Sequence, residues 1–309
     1  MVPEILDKNA IYVLSLCDGI ATGLDILKEL YLDKRIIYCA VELAEIPRKV
    51  ADVNHPAQIV REIHDVVVMS ENFDKMKYKY FDYFLCGFTC KSLSSQGLRK
   101  EWEGESKIFF NCVTILNKVL EINPNCKFFF ENVASMTNAC RATISELLLV
   151  PHYSFNAGLV SPQARVRYYW FNFKEPDLTE EIIRNAPEAK SVLDEDGLDV
   201  IGFTKSHRDY VDPEGKKYKE VKGRFRVDKK LATIVTKNGG KGQSTCNVVI
   251  DKRMKTRDLT FMECARAQGM GHYKWDIEGI GEWAKFECIG NGWQREAVKF
   301  ILKESVDEK

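Results

Sequence analysis

Four stretches of the chain carry residue types that do chemistry at spacings that matter. Gly87-Phe-Thr-Cys-Lys-Ser-Leu-Ser-Ser-Gln-Gly97 follows an apolar run at 82–86, which places Cys90 on a polar, glycine-bounded loop. A thiolate is a strong nucleophile, and the adjacent Lys91 favours ionisation. Phe128-Phe-Phe-Glu-Asn-Val133 ends a second apolar run on Glu131. A carboxyl group behind three aromatics is partly desolvated, an environment that raises its pKa and lets it donate a proton. Gln163-Ala-Arg-Val-Arg167 leads into Tyr168-Tyr-Trp-Phe-Asn-Phe173, so Arg165 and Arg167 share one side of an extended segment. Paired guanidinium groups suit a phosphate or an electron-rich atom. Asp18-Gly-Ile-Ala-Thr-Gly23 is a glycine turn between a strand and a helix, where backbone can approach a ligand.

Each of these has a plainer alternative: an inert core cysteine, a strand-end turn, a surface ion pair, a structural turn. Cys17, Cys39 and Cys86 fit the first, since they lie in strands or at strand ends. Zinc at Cys86 and Cys90 is disfavoured, because no second Cys or His pair has ligand spacing. The glycine turn reads G-x-x-x-G, not the G-x-G-x-x-G that a pyrophosphate favours. Glu42, ending the second strand, stands where a doubly wound sheet presents an acid to ribose hydroxyls, and Asp65-Val66 ends the next unit in the same plane. Together these suggest an adenosyl ligand without a pyrophosphate.

The elements that must position these residues are legible to about residue 173. Strands are expected at Ile11–Leu16, Ile36–Val41, Asp82–Cys86, Lys127–Phe130 and Tyr168–Phe173. Helices are expected at Thr22–Leu30 and over 46–54, 107–122 and 137–149. This alternation predicts an α/β fold, a doubly wound, mostly parallel sheet with helices on both faces. From about 174 the chain turns acidic and loop-like, then basic with frequent glycines and short β-like runs such as Leu231–Thr236. Helical patterns return at 258–268 and 292–304.

The 309 residues hold 45 Lys+Arg and 45 Asp+Glu, with 45% hydrophobic residues and a pI near 6.9. That excludes a collagen, a disordered tail and a uniformly basic polyanion binder. The zero net charge hides a gradient: residues 201–260 hold 16 Lys+Arg against 7 Asp+Glu, leaving 29 against 38 elsewhere. Ten cysteines in a chain of this size, with no signal-peptide pattern, point to a reducing compartment. The cytoplasm of a prokaryotic or phage-infected cell is the expected location. No apolar run approaches the roughly 20 residues that cross a bilayer.

In order along the chain, these motifs resemble the C5-cytosine DNA methyltransferase family. Asp18–Gly23 is similar to its S-adenosylmethionine loop, Gly87-Phe-Thr-Cys90 to its G-x-P-C nucleophile loop, Glu131-Asn-Val133 to its E-N-V acid, and Gln163-x-Arg165-x-Arg167 to its Q-x-R-x-R strand. Arg257-Asp-Leu-Thr-Phe-Met-Glu-Cys-Ala-Arg-Ala-Gln-Gly269 resembles the ninth motif and Gly290-Asn-Gly-Trp293 the last. The run Leu14–Gly23 and the compact middle region look closest to the de novo methyltransferases of animals.

The resemblance implies a Rossmann-like, S-adenosyl-L-methionine-dependent catalytic domain, residues 1–173 with 288–309, and a smaller DNA target-recognition lobe, 174–287. It implies that Cys90 attacks C6 of a flipped-out cytosine in double-stranded DNA, that Glu131 bonds the base, and that Arg165 and Arg167 assist. Cofactor contacts would come from Asp18, Gly19, Ile20, Thr22, Gly23, Glu42, Leu43, Asp65, Val66, Gly87, Asn291 and Trp293, with S-adenosyl-L-homocysteine as product. Lys91, Ser94, Gln96, Arg99, Asn132, Gln163, Lys222, Arg224, Arg226, Lys237, Gly239 and Gly240 would meet the nucleic acid. Lys216, Lys217, Lys229 and Lys230 add to the candidate phosphate contacts, in line with the basic composition of 201–260. No metal is implied.

Two positions depart from the family pattern. Thr89 stands where a proline usually precedes the nucleophile, which restores a backbone N–H and frees φ. Cys17 stands where many members have an aromatic residue. On sequence grounds the loop is looser, the attack is slower or less well positioned, and Thr89→Pro raises the rate if loop stiffness is limiting. A transfer-RNA cytosine methyltransferase and a catalytically weak DNA-binding subunit are the rival readings. A nicotinamide oxidoreductase shares the fold class but needs the absent G-x-G-x-x-G turn.

Overall fold

The computed structural model describes residues 6–90, 92–93, 101–203, 229–231, 233–234, 246–253 and 255–306. The chain divides into two compact units. The first is Met1–Phe155 with Val166–Pro176 and Ile301–Lys309, and the second is Asn156–Arg165 with Asp177–Phe300.

The first unit is built on seven strands: β1 (Ala10–Leu16), β2 (Arg35–Val41), β3 (Ile59–Val60), β4 (Tyr83–Cys86), β5 (Lys127–Val133), β6 (Tyr153–Asn156) and β7 (Val166–Phe171). They lie in the order β3-β2-β1-β4-β5-β7-β6. The pairs from β3 through β5 are parallel, and β7 runs antiparallel to β5. Parallel strands are covered on both faces, which is why β1 and β4 are nearly continuous apolar runs. The covering helices are α1 (Thr22–Leu30), α2 (Glu45–Asn54), α3 (Val66–Asn72), α4 (Ile108–Ile122) and α5 (Asn138–Leu148). In α1, Leu24, Ile26 and Leu27 are buried while Asp25 in the first turn and Lys28 in the last suit the helix dipole. Thr137 caps α5 by accepting from the Cys140 N–H at 3.2 Å. The core joins Leu14, Leu16, Phe84, Phe109, Phe130 and Trp170 across the sheet.

The strand order reverses between β1 and β4, so the loops leaving these neighbours diverge to opposite faces and open a crevice at the carboxyl edge. The fold class read from the sequence is the one observed. β3, α3 and β6 have no counterpart among the expected elements, being two, seven and four residues long, too short for a periodicity to show.

The second unit contains α6 (Glu180–Asn185) and an antiparallel sheet of β8 (Gly197–Phe203), β9 (Cys246–Asp251) and β10 (Thr256–Arg257). Three helices follow, α7 (Phe261–Ala267), α8 (Glu282–Asn291) and α9 (Arg295–Leu302). A capping box, Thr260 with Glu263, starts α7. The single helix expected at 292–304 begins only at Arg295, because α8 ends at Gly292, where a side chain would stand 3.0 Å from the Cys288 carbonyl oxygen. Of the strand expected at Leu231–Thr236, Leu231 forms one bridge with Gln163, and residues 232, 235 and 236 lie outside the described residues. Residues 288–300 fall in the second unit, tied there by bonds such as Arg295 N–H to the Gln268 carbonyl at 3.0 Å.

Candidate active site

One row of paired residues crosses the sheet: Val41, Leu16, Cys86, Phe130 and Trp170. In β2, β1, β4 and β5 the next residue along the chain is Glu42, Cys17, Gly87 and Glu131 respectively. Strand register alone therefore lines up Glu42, the candidate ribose-binding acid, both glycine loops and the candidate proton donor along one edge.

The loop after β1 is unusual in backbone. Cys17, Gly19 and Ala21 have φ of 53°, 62° and 61°. For the two non-glycine residues this conformation costs about 1–2 kcal/mol each. At Gly19 a side chain would project into open space, leaving backbone free for close approach by a ligand. Glu42 ties the loop down, accepting from Gly19 N–H at 2.9 Å and from Ala44 N–H at 2.8 Å. Burial pushes its pKa up, and those two N–H groups oppose the shift. Arg48 of α2 holds the end of β2 by donating to the Glu42 and Leu43 carbonyls, and the Leu43 side chain is exposed. Asp18 accepts from the Tyr38 hydroxyl at 2.5 Å through Oδ1. Its Oδ2 is buried without a partner among the described residues, and burial raises its pKa. Ile20, Thr22 and Gly23 are buried beneath the loop. Asp65 caps α3 through the Val67 N–H at 2.7 Å, and Val66 is buried beside it. An orphaned oxygen, an open glycine face and an acid at the end of β2 fit the adenosyl group and charged sulfur of S-adenosyl-L-methionine.

The loop after β4 is held group by group. Gly87 N–H donates to the Leu16 carbonyl at 3.3 Å. Asn132 Nδ2 donates to the Phe88 carbonyl at 2.9 Å, and Ser106 Oγ to the Thr89 carbonyl at 2.9 Å. The Leu93 N–H bonds the Cys90 carbonyl at 3.0 Å. Cys90 itself is half-buried. Asn132, expected to face nucleic acid, is buried and braces this loop instead. Neither Ser106 nor its role had a signal in the sequence, since a serine between charged residues has no local pattern.

Cys17 is half-buried beside two buried cysteines, Cys86 at the end of β4 and Cys112 in α4. Hydrogen bonds from the Cys112 and Cys86 thiols and from the Thr89 backbone N–H favour its thiolate and hold its pKa well below the usual thiol value. Burial pushes Cys86 and Cys112 well above it. The nine cysteines whose side chains are described are all free thiols.

Glu131 is 9% exposed, and Arg167 Nε lies 3.1 Å from its Oε1. Glu131 pairs across the ladder with Tyr169 and Arg167 with Val133, so the two are diagonal neighbours on one face. Arg165 goes elsewhere. It is 3% exposed in the second unit, donating to the carbonyls of Ile234, Gly290 and Gly292 at 2.9–3.0 Å. Gln163 is fully buried there: its amide donates to Gln268 Oε1 at 2.6 Å and accepts from the Ile234 N–H at 2.9 Å. Expected at the nucleic-acid surface, it is an interior brace. In the same unit Asn291 is exposed and Trp293 half-buried.

Of the candidate phosphate contacts, Lys229 is exposed and pairs with Glu188 at 3.4 Å. Lys230 corrects the expectation: its ammonium donates to the Ser161 carbonyl at 2.9 Å and to those of Pro187 and Ala186, and burial lowers its pKa. Lys91, Ser94, Gln96, Arg99, Lys216, Lys217, Lys222, Arg224, Arg226, Lys237, Gly239 and Gly240 lie outside the described residues. Among the described residues no helix is long and apolar enough to cross a membrane.

Residues 12–219 match the profile of the C-5 cytosine-specific DNA methylase family. Among solved structures the chain is similar to the Dnmt2 methyltransferase of S. pombe, with a TM-score of 0.66, 15% identity and 95% of this chain aligned to 97% of that one. It is also similar to the Entamoeba histolytica methyltransferase EhMeth, at 0.67 and 14%, covering 97% and 100%. A mutant DNMT2 of Spodoptera frugiperda aligns at 0.64 and 16%, covering 94% and 97%.

Proposed function

We propose that this chain, which belongs to the C-5 cytosine-specific DNA methylase family, methylates cytosine in double-stranded DNA through a covalent adduct of Cys90. The coarser activity, transfer of a methyl group to C5 of cytosine from S-adenosyl-L-methionine, follows from the family. The observation that supports the finer reading is the shared sheet edge: Gly87, which opens the Cys90 loop, and Glu131, which is paired with Arg167, stand one residue beyond the same register row on neighbouring strands.

S-adenosyl-L-methionine supplies an electrophilic methyl group on a positively charged sulfur. A cytosine stacked in a duplex cannot reach either residue, so the base must be flipped out. Cys90 Sγ forms a bond to C6, which breaks the C5–C6 double bond and places electron density on C5 and N3. Glu131 hydrogen-bonds N3 and the exocyclic amine as that density grows, and Arg167 holds the carboxyl group in place. Once C5 carries the methyl group, loss of its proton to a solvent base and departure of Cys90 restore the double bond. Asp18, Gly19 and Glu42 would hold the cofactor, with Glu42 towards its ribose hydroxyls. The excess of Lys and Arg in 201–260 supports a polyanionic partner.

The test is transfer of labelled methyl to duplex DNA and, beside it, to tRNA. Label in DNA cytosine that vanishes in Cys90→Ser is the expected result, together with a trapped adduct on a 5-fluorocytosine duplex. Label confined to tRNA overturns the DNA reading, and label that survives Cys90→Ser overturns the covalent one.

A further inference from the structure

The end of β2 is held by a side chain that helix electrostatics would place elsewhere. Arg48 is the fourth residue of α2 and half-buried, yet its guanidinium turns back towards the residues ahead of the helix. A cation at that end opposes the helix dipole. It also bonds two carbonyls and no carboxylate among the described residues. Neither the helix nor an ion pair accounts for the placement.

Both bonds come from one nitrogen: Arg48 Nη1 donates to the Glu42 carbonyl at 2.8 Å and to the Leu43 carbonyl at 2.6 Å. The Leu43 carbonyl shares a peptide plane with the Ala44 N–H, and in a trans peptide the two point in opposite directions. Fixing the carbonyl therefore aims the N–H, which donates to Glu42 Oε1 at 2.8 Å. The other carboxyl oxygen, Oε2, accepts from the Gly19 N–H at 2.9 Å, at the position where a side chain would meet open space. One path of hydrogen bonds, none longer than 2.9 Å, runs from Arg48 through the Glu42 carboxyl group to the glycine turn.

We propose that Arg48 is a positioning residue for the cofactor: by orienting the peptide between Leu43 and Ala44 it sets the Glu42 carboxyl group, and through it the Gly19 backbone. The inference rests on the reading of Glu42 as the acid that meets the ribose hydroxyls.

Calorimetry with S-adenosyl-L-methionine tests it. Arg48→Met removes the donor but keeps an apolar stem, and weakens binding about tenfold. Arg48→Lys supplies an ammonium that serves both carbonyls from one nitrogen, as Nη1 does, and restores binding to within about threefold of wild type. Glu42→Ala also weakens binding, and adding Arg48→Met to it costs no more than about twofold further, because the two act in series. Charge alone predicts the opposite sign, since a cation near the positively charged cofactor repels it and its removal would tighten binding. In turnover the loss falls on KM for the cofactor, with kcat within about twofold of wild type, whereas a loss of folded protein lowers kcat.

A second readout needs no ligand. In the cofactor-free protein, Arg48→Met speeds amide hydrogen exchange about tenfold in the peptide over residues 16–23, while the peptide over Asn138–Leu148 of α5 exchanges as in wild type. Unchanged exchange at 16–23 overturns the inference. So does unchanged or tighter binding in Arg48→Met beside weakened binding in Glu42→Ala, or a double variant whose losses multiply. Binding by Glu42→Ala equal to wild type overturns the reading of Glu42 and the inference with it.

Discussion

The two units treat buried polar groups in opposite ways. In the first, the candidate site keeps features that folding alone disfavours: left-handed backbone at Cys17 and Ala21, and an Asp18 oxygen buried without a partner among the described residues. In the second, Gln163, Gln268 and Gln294 bond to one another or to the Ala267, Ile289 and Gly292 carbonyls, and Arg165 spends its guanidinium on three more. A densely bonded network fixes a shape, whereas strained backbone and an open oxygen suit a site that takes a ligand. The boundary between these regimes falls inside one motif, between Arg165 and Arg167.

The largest effect that tests this contrast is on stability. Arg165→Met leaves the Ile234, Gly290 and Gly292 carbonyls without their donor and should cost about 3–5 kcal/mol, read as a lower urea midpoint. A cost below about 1 kcal/mol would break the comparison. Arg167→Lys keeps a positive charge near Glu131 but loses the planar fork. It should lower kcat about tenfold to a hundredfold while shifting stability by less than about 1 kcal/mol. If the two variants exchanged phenotypes, Arg165 would be the residue at the chemistry.

How far the sequence disclosed this depends on the link in question. The mostly parallel sheet and the row of Glu42, Gly87 and Glu131 were legible, because buried strands write continuous apolar runs and each chemical residue follows its run directly. The burial of Arg165 and Gln163 in the second unit was not legible for a physical reason: alternation shows that two side chains share a face, but not which element covers that face. Lys230 was misplaced similarly, since a charge count does not distinguish an ammonium facing solvent from one turned onto the Ser161 and Pro187 carbonyls. The thiol trio had no sequence signal, as Cys17, Cys86 and Cys112 are brought together only by register and by the packing of α4.

Asn132 is the first unit's own example of a satisfied brace, and it sharpens the comparison. Asn132→Ala removes a buried bond to the Phe88 carbonyl and should cost about 1–2 kcal/mol in stability. Because the carbonyl lies two residues before Cys90, adduct formation should slow as well, by about threefold to tenfold. A purely structural residue would show the first effect alone.

The smallest effect concerns the strained side directly. Burial raises the Asp18 carboxyl above its ordinary value of 3.8, against the Tyr38 hydroxyl, which pulls it down. Between 3.8 and the raised value the folded chain holds a proton that the unfolded chain has released, so stability falls as pH rises through that window. Above the raised value the full penalty is present. Asp18→Asn removes it while keeping an oxygen for the Tyr38 hydroxyl, so the variant should melt about 1–3 °C higher than wild type at pH 7. The advantage should vanish below pH 3.8, where Asp18 is neutral in both states. On the reading that this oxygen faces the cofactor, the same substitution should weaken S-adenosyl-L-methionine binding about tenfold, measured by calorimetry at pH 7. A variant that is less stable at pH 7 and binds the cofactor unchanged would show that the open oxygen serves the fold rather than the site.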